Sequence, residues 1–424
     1  MEEVYPKIRN TVEALPIEHA GRKAVLLRDR LQVAQEIVIP MGVAGFIPFF
    51  DGKNSLRDIQ VALMRGGGFE LVSVQEIERV VQALDTYHYL ENEGFRKHLQ
   101  GVEEDFRNNS CRASSLAGKS YPQDPDRLRE EIDGFFSHLE GPGEGTVLGK
   151  NGKVTGIIAP HIDYHRGGPC YAWAYKAMAE ACESDLFVIL GTAHCPTDRP
   201  FVFTDKDFDT PLGLLRTEKE VVRGMVEESG VDLFKDQIIH RAEHSIELQA
   251  VMLRHLYRER DIRIIPILCG PLHPEGDSGT PCEEVHRVIA AMRKILGQAK
   301  ASVCLVASAD LAHMGPQFGD SYPMTEADLP GLREADSAML EHVLNLNPEG
   351  FLKHITAEGD RRKICGLPPI YTMLHLLDAG KAHMLRYSQA YNPQATVTFA
   401  SVAFTRQDHQ HEEESAAEPQ LKDF

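Results

Sequence analysis

The chain reads as an α/β protein, a mainly parallel sheet with helices on both faces, preceded by a small α+β domain of winged-helix type. Three observations carry this. Apolar runs of strand length recur from residue 154 onward with helical patterns between them. Those runs are near-continuous rather than alternating, as in strands covered on both faces. The first hundred residues instead compress short strand-like runs and two or three short helical patterns into one stretch.

Residues 23–39 hold the strand-like runs KAVLLRDR and EIVIP, and two helical patterns follow before residue 92. The second is the stronger. Ser73 and Glu76 form a capping box, and Ile77, Val80, Val81 and Leu84 mark one apolar face. The small domain is therefore placed at 1–102, a polar linker at 103–111 and the main domain at 112–406. Asp124 as N-cap and Pro125 at the first helical position open a helix with Leu128, Ile132, Phe135, Phe136 and Leu139 on one face. After the Gly-rich turn GPGEGTVLGKNGK come the strands VTGIIAP, DLFVILG, RIIPILCG and ASVCLVAS, and finally the pair HMLRYSQAY and ATVTFASVAF. Helices are expected near 169–182, 216–228, 244–258, 283–297, 331–345 and 366–379. The acidic tail 407–424 has the composition of a disordered segment.

Among 424 residues, 63 Asp and Glu oppose 45 Lys and Arg, a net charge of −18. Nucleic acid and anionic lipid surfaces are poor partners for such a chain, since phosphate neutralisation needs clustered cations. Residues 1–100 are nearly neutral at −2, the tail holds −5 and the remaining −11 belongs to 101–406. The small domain is thus free to meet a protein or peptide. The first residues lack a basic region followed by an apolar core, and no run approaches the roughly 20 apolar residues of a membrane span. A cytoplasmic protein is expected. Eight scattered cysteines without a CxxC pair disfavour a disulfide framework and a Cys-rich zinc module.

In an open parallel sheet, ligands bind beyond the carboxyl ends of the strands. Three of the runs end in chemistry-bearing residues: IIAP in His161, Asp163, Tyr164, His165 and Arg166; VILG in His194 and Cys195; LVAS in Asp310 and His313. Two helix starts add His244 with Glu247 three residues on, and Cys365 in ICGLPP. A thiol at a helix N-terminus has its pKa lowered by the dipole and by nearby cations, so Cys365 could be a metal ligand or a nucleophile. A lone His beyond a strand is usually structural; five such motifs at one edge point to a site.

Imidazole and thiolate suit a first-row transition metal, whereas Mg²⁺ and Ca²⁺ ask for oxygen. His161, His194 and Cys365 form the best trio, with Asp310, His313 and His244 as acid/base or supporting groups. The short gap between Asp310 and His313 suggests that the carboxylate orients that ring. Asp163, Tyr164, Arg166, Cys195 and Glu247 are candidates for the pocket wall, although Arg166 could equally pin the Gly-Gly turn that follows it. The competing readings are a hydrolase or acyl transferase using Cys365 as nucleophile with His313 or His161 as base, and a pocket that binds a ligand or peptide without turnover.

The motifs LAGKSYPQDPDRL, APHIDYHRGG, GTAH, TPLG, EHSIELQ, SADLAHMG and ICGLPPI occur in the order of the Memo family, in the form called AmmeMemoRadiSam system protein B. The resemblance covers roughly 112–406. It implies a fold like that of the class III extradiol dioxygenases, a metal at His161, His194 and Cys365, and Asp310 and His313 lining the pocket. It implies iron first, with copper or zinc as alternatives, a redox reaction and a radical SAM partner. Where those dioxygenases use a carboxylate as third ligand this chain has Cys365, so their activity does not simply carry over. Cys195 also stands where other Memo proteins place a second His. The first 102 residues resemble PqqD-like peptide-recognition modules, through LLRDR…IVIP…GFIPFFDGKNSLRDIQ…IERVVQALDTYHYL; the alternative is a packing or dimerisation domain.

Overall fold

A computed structural model describes residues 4–65, 72–149, 152–273, 279–378 and 380–406. The acidic tail 407–424 lies outside the described residues. The chain forms two compact units: Met1–Ser110 with His194–Pro196 and Ile238–Glu243, and Cys111–Ala193 with Thr197–Gln237 and His244–Phe424.

In the first unit, β1 (Val12–His19), β2 (Arg22–Asp29) and β3 (Ile37–Pro40) make an antiparallel sheet in that order. The short α1 (Met41–Ala44) follows, then α2 (Leu56–Arg65), α3 (Val74–Thr86) and α4 (Glu93–Asn108). The expected capping box at α3 is present in both directions, Ser73 accepting from Glu76 N and Glu76 from Ser73 N. Leu27, Phe50, Ile59, Ile77 and Tyr89 form the buried core. One expectation is corrected here. The polar stretch from 103 is helical as far as Asn108, because α4 is amphipathic, buries Phe95 and Phe106, and is capped by Asn92 accepting from Phe95 N.

The second unit runs β4 (Cys111–Arg112), α5 (Pro125–Ser137), β5 (Lys153–Ala159), α6 (Tyr164–Ala181), β6 (Leu186–Thr192), β7 (Phe201–Phe203), β8 (Asp207–Phe208), β9 (Arg216–Thr217) and α7 (Lys219–Ser229). It continues with α8 (His244–Leu256), β10 (Arg263–Cys269), α9 (Glu283–Gln298), β11 (Val303–Ser308), β12 (Asp310–Met314), α10 (Leu329–Leu344), α11 (Pro348–Ala357), α12 (Leu367–Leu376), β13 (Lys381–Ala390) and β14 (Thr396–Arg406).

Strands β5, β11, β6 and β10 lie side by side and parallel. Antiparallel strands flank them: β7 beside β10, and β14 beside β5, with β12 and β13 also paired to β14. The fold is therefore mixed α/β with a mostly parallel centre. All seven residues of β6 are buried. Since successive strand residues face opposite sides, both faces of the sheet are covered there. Chain order and sheet order diverge at β11, which inserts between β5 and β6 after the chain has already visited β10. At such a reversal a ligand crevice is expected at the carboxyl ends of the strands.

Helix α6 starts at Tyr164, five residues before the expected 169. Pro169 lies inside the helix, whose N-cap is Asp163 accepting from Arg166 N. The short elements β7, β8, β9, β12 and α11 carry no sequence period long enough to announce them. Among the described residues, no helix is long and apolar enough to cross a membrane.

Candidate metal centre

Sheet register places the site. Ile158 of β5, Ala307 of β11 and Leu190 of β6 stand in one row across three neighbouring strands, so the loops that follow emerge together. His161 lies two residues beyond β5, Asp310 two beyond β11 and His194 two beyond β6.

His161 is 1% exposed. Its backbone N–H donates to Asp310 Oδ1 at 2.9 Å, and its Nδ1 lies 3.0 Å from the Ser308 carbonyl. A carbonyl only accepts, so the neutral ring carries its hydrogen on Nδ1 and keeps the Nε2 lone pair. Nε2 lies 3.2 Å from Cys365 Sγ and 3.7 Å from Asp310 Oδ2.

Cys365 immediately precedes Gly366, the N-cap of α12. The segment leading to it is tightly built. Asp360 and Lys363 adopt left-handed φ of 45° and 53°, Asp360 Oδ1 accepts from Ile364 N at 2.9 Å and Lys363 Nζ pairs with Asp320 at 2.6 Å. Gly366 N donates to the Asp310 carbonyl at 3.0 Å. A Cβ on Gly366 would meet that carbonyl oxygen at 2.4 Å, so only glycine permits the approach. Thr192 Oγ1 donates to the Cys365 carbonyl at 3.0 Å, tying this segment to the end of β6.

His194 is held by Glu243, whose Oε2 accepts its backbone N–H at 2.8 Å and whose Oε1 accepts from Nδ1 at 2.9 Å. Its neutral ring likewise keeps the lone pair on Nε2. The ligating atoms of His161, His194 and Cys365 all lie within 4.8 Å of one another. Ligands of a tetrahedral ion at ~2.0–2.3 Å stand roughly 3.3–3.8 Å apart, so small side-chain adjustments let this donor set close on one ion. A second grouping, His194, Glu243 and His244, also falls within 4.8 Å. It contains the His194–Glu243 hydrogen-bonded pair.

Asp310 is buried, and burial pushes its carboxyl up to about 7 against the pull of the His161 and Ile162 backbone N–H groups. The His244 ring meets that of His161 edge-on at 5.4 Å. Half-buried His313 lies in β12, with Nδ1 3.1 Å from the Leu311 carbonyl and its ring against Phe318 at 4.9 Å. The Asp310 carboxylate, expected to orient His313, is turned to His161.

Of the residues proposed for the pocket wall, Tyr164 and Arg166 line a cleft that the donor set does not, and Asp163, Cys195 and Glu247 line no part of it. Tyr164 is fully buried, its hydroxyl donating to the Leu248 carbonyl at 2.6 Å. Asp163 caps α6 and pairs with Arg166, whose Nε donates to Oδ2 at 2.7 Å. Cys195 is buried, and burial together with the charges of Asp29 and Glu243 pushes its thiol up to about 12. Glu247 is 0% exposed and clamps the segment 112–121: it accepts from Ser115 Oγ at 2.8 Å and Leu116 N at 2.9 Å, and bonds Arg112 and Tyr121. Burial alone would raise its pKa, but Arg112, Tyr121 and those N–H groups hold it below the ordinary value. Sequence alone does not point to Arg112 or to the role of Glu243; the one available signal for Glu243 is its place directly before His244, the first residue of α8.

An open cleft of ≈ 850 Å³ surrounds the first turn of α6, lined by Tyr121, Glu131, Phe135, Tyr164, His165 and Arg166 among others. His161, His194 and Cys365 do not line it.

The model of the family described as Memo-like protein matches residues 112–405. The chain belongs to the Memo family. A MEMO1 family protein of Aquifex aeolicus (strain VF5) is 27% identical over 88% of this chain and 91% of its own. One from Methanosarcina barkeri is 30% identical over 66% of this chain and 92% of its own. One from Desulfurococcus amylolyticus is 31% identical over 65% and 91%. An uncharacterized protein from Escherichia coli K12 of solved structure gives a TM-score of 0.31 at 15% identity, covering 59% of this chain and 99% of that one. That likeness is too slight to carry a fold relationship. Family membership thus rests on the sequence of residues 112–405, where His161, His194, Asp310 and Cys365 are found.

Proposed function

We propose that this Memo-family protein is a metal-dependent redox protein. His161, His194 and Cys365 would hold one transition-metal ion, iron in the first instance and copper or zinc as alternatives. The single observation that carries the proposal is the donor set: two imidazoles with Nδ1 engaged by fixed acceptors and one thiol, with ligating atoms within 4.8 Å. Such a set favours ions that accept nitrogen and soft sulfur. A redox-active ion held there would supply electron transfer and Lewis acidity. The chain supplies the rest. Asp310, with its carboxyl near 7, can hold or release a proton beside His161, and His244 stands against the same ring. A thiolate in place of a carboxylate ligand separates this chemistry from that of the extradiol dioxygenases, whose α/β fold the second unit is proposed to share. A radical SAM enzyme as partner, and a PqqD-like first hundred residues receiving a peptide or small-protein substrate, complete the proposal.

Metal content after anaerobic purification tests it. Stoichiometric iron or copper is expected in the wild type and its loss in Cys365→Ser; a wild type without transition metal sinks the metal assignment. The 3.2 Å contact between Cys365 Sγ and His161 Nε2 favours a second reading. His161 can take the thiol proton and leave Cys365 as a nucleophile. Covalent labelling of Cys365 by an acylating probe in metal-free wild type, absent in His161→Gln, would support that alternative.

A further inference from the structure

The hold on His194 is built within the unit formed by Met1–Ser110, His194–Pro196 and Ile238–Glu243. Each oxygen of Glu243, a side chain only 3% exposed, accepts a hydrogen bond from His194. The His194 carbonyl accepts from Arg30 Nη1 at 3.0 Å, and Arg30 is itself anchored by Glu13, which accepts from its Nε at 2.8 Å. Backbone N–H, backbone carbonyl and ring Nδ1 are all engaged. His161 is held differently, its Nδ1 facing the neutral carbonyl of Ser308.

We propose that Glu243 is a positioning residue of the metal centre: its two oxygens lock His194 in the Nδ1–H tautomer and present Nε2 to the ion. The ligand role rests on the metal reading above; the tautomer does not. A carboxylate acceptor also makes this imidazole a more electron-rich donor than one bonded to a carbonyl. Glutamine cannot replace it fully. Its amide offers one acceptor oxygen, and its NH₂ group would face one of the two N–H donors of His194.

The test uses the full-length chain. Long-range ¹⁵N–¹H spectra of the metal-free protein should show His194 as the Nδ1–H tautomer in the wild type and in Arg30→Ala, which loosens the loop without touching the ring. In Glu243→Ala the Nε2–H form should appear. Zn²⁺ affinity, measured by chelator competition, should fall roughly 10–100-fold in Glu243→Ala, with Glu243→Gln between the two. A wild-type ring protonated on Nε2, or a folded Glu243→Ala protein with unchanged tautomer, overturns the proposal. So does a Glu243→Ala protein that binds Zn²⁺ as tightly as the wild type, an outcome that leaves the metal centre standing. A wild type that shows the Nδ1–H tautomer but binds no metal upholds the locking and overturns the metal reading instead.

Discussion

Glu247 and Asp310 are both buried carboxylates of the sheet-bearing unit, 0% and 2% exposed, yet one is held below its ordinary value and the other is pushed up to about 7. Both lose water. For Glu247 that loss is outweighed by the Arg112 guanidinium, the Tyr121 hydroxyl and two backbone N–H groups. The leading partners of Asp310 are the N–H dipoles of His161 and Ile162, which offset burial only in part. A buried carboxylate with its own cation becomes an anchor; one supported mainly by dipoles sits close to its titration point at neutral pH, as acid/base groups do.

The largest effect should come from breaking the anchor. Glu247→Leu leaves Arg112 buried without its carboxylate and should cost about 3–5 kcal/mol in urea denaturation. A loss below about 1 kcal/mol would mean that Glu247 and Arg112 do not hold the 112–121 segment. Gly366→Ala should follow, at about 1–3 kcal/mol, since its Cβ must push against the Asp310 carbonyl. It should also weaken metal retention, whereas Gly297→Ala, where a Cβ meets nothing within 4 Å, should not.

Asp310→Asn in metal-free protein should change stability by less than about 1 kcal/mol at neutral pH, because no buried cation is stranded. The pH dependence sharpens the contrast through its sign. Unfolded Asp310 ionises near its ordinary 3.8 while the folded group keeps its proton to about 7. Through that window the folded state holds the extra proton, so Asp310 makes stability fall as pH rises. Glu247 acts oppositely: its contribution is present above the ordinary 4.5 and is lost as pH falls through the lower folded value. Denaturation midpoints between pH 3 and 8, with Asp310→Asn and Glu247→Gln as references, should separate the two trends; slopes of the same sign would refute the contrast.

Much of this site is legible in the sequence because strands of a parallel sheet deliver their next residues to one edge. His161, His194 and Asp310 follow that rule, and Cys365 follows from its place before a helix. The two glutamates of EHSIE were less legible. Glu247 shares the first turn of α8 with His244 and was placed in the pocket, but its carboxylate bonds Arg112 and Tyr121 while His244 meets the His161 ring. Glu243 lies just ahead of the helix, where helical phase gives no guide to its direction, and it reaches His194. In the fold, the long apolar runs were clear. The five-residue β12 was not, since DLAHM has chemistry-bearing residues where a strand would show an apolar period.

Asp310 ties both neighbouring candidate ligands, His161 and Cys365, but by different parts of itself. Its carboxylate accepts the His161 backbone N–H, while its peptide carbonyl accepts from Gly366 N and lies 3.7 Å from Cys365 Sγ. Only the first tie is written in the side chain. Over evolutionary time a change at this codon can release the histidine, but the cysteine stays moored through an atom that every amino acid possesses. Divergence at position 310 would therefore be expected to retune the imidazole side of the centre before it disturbs the sulfur side.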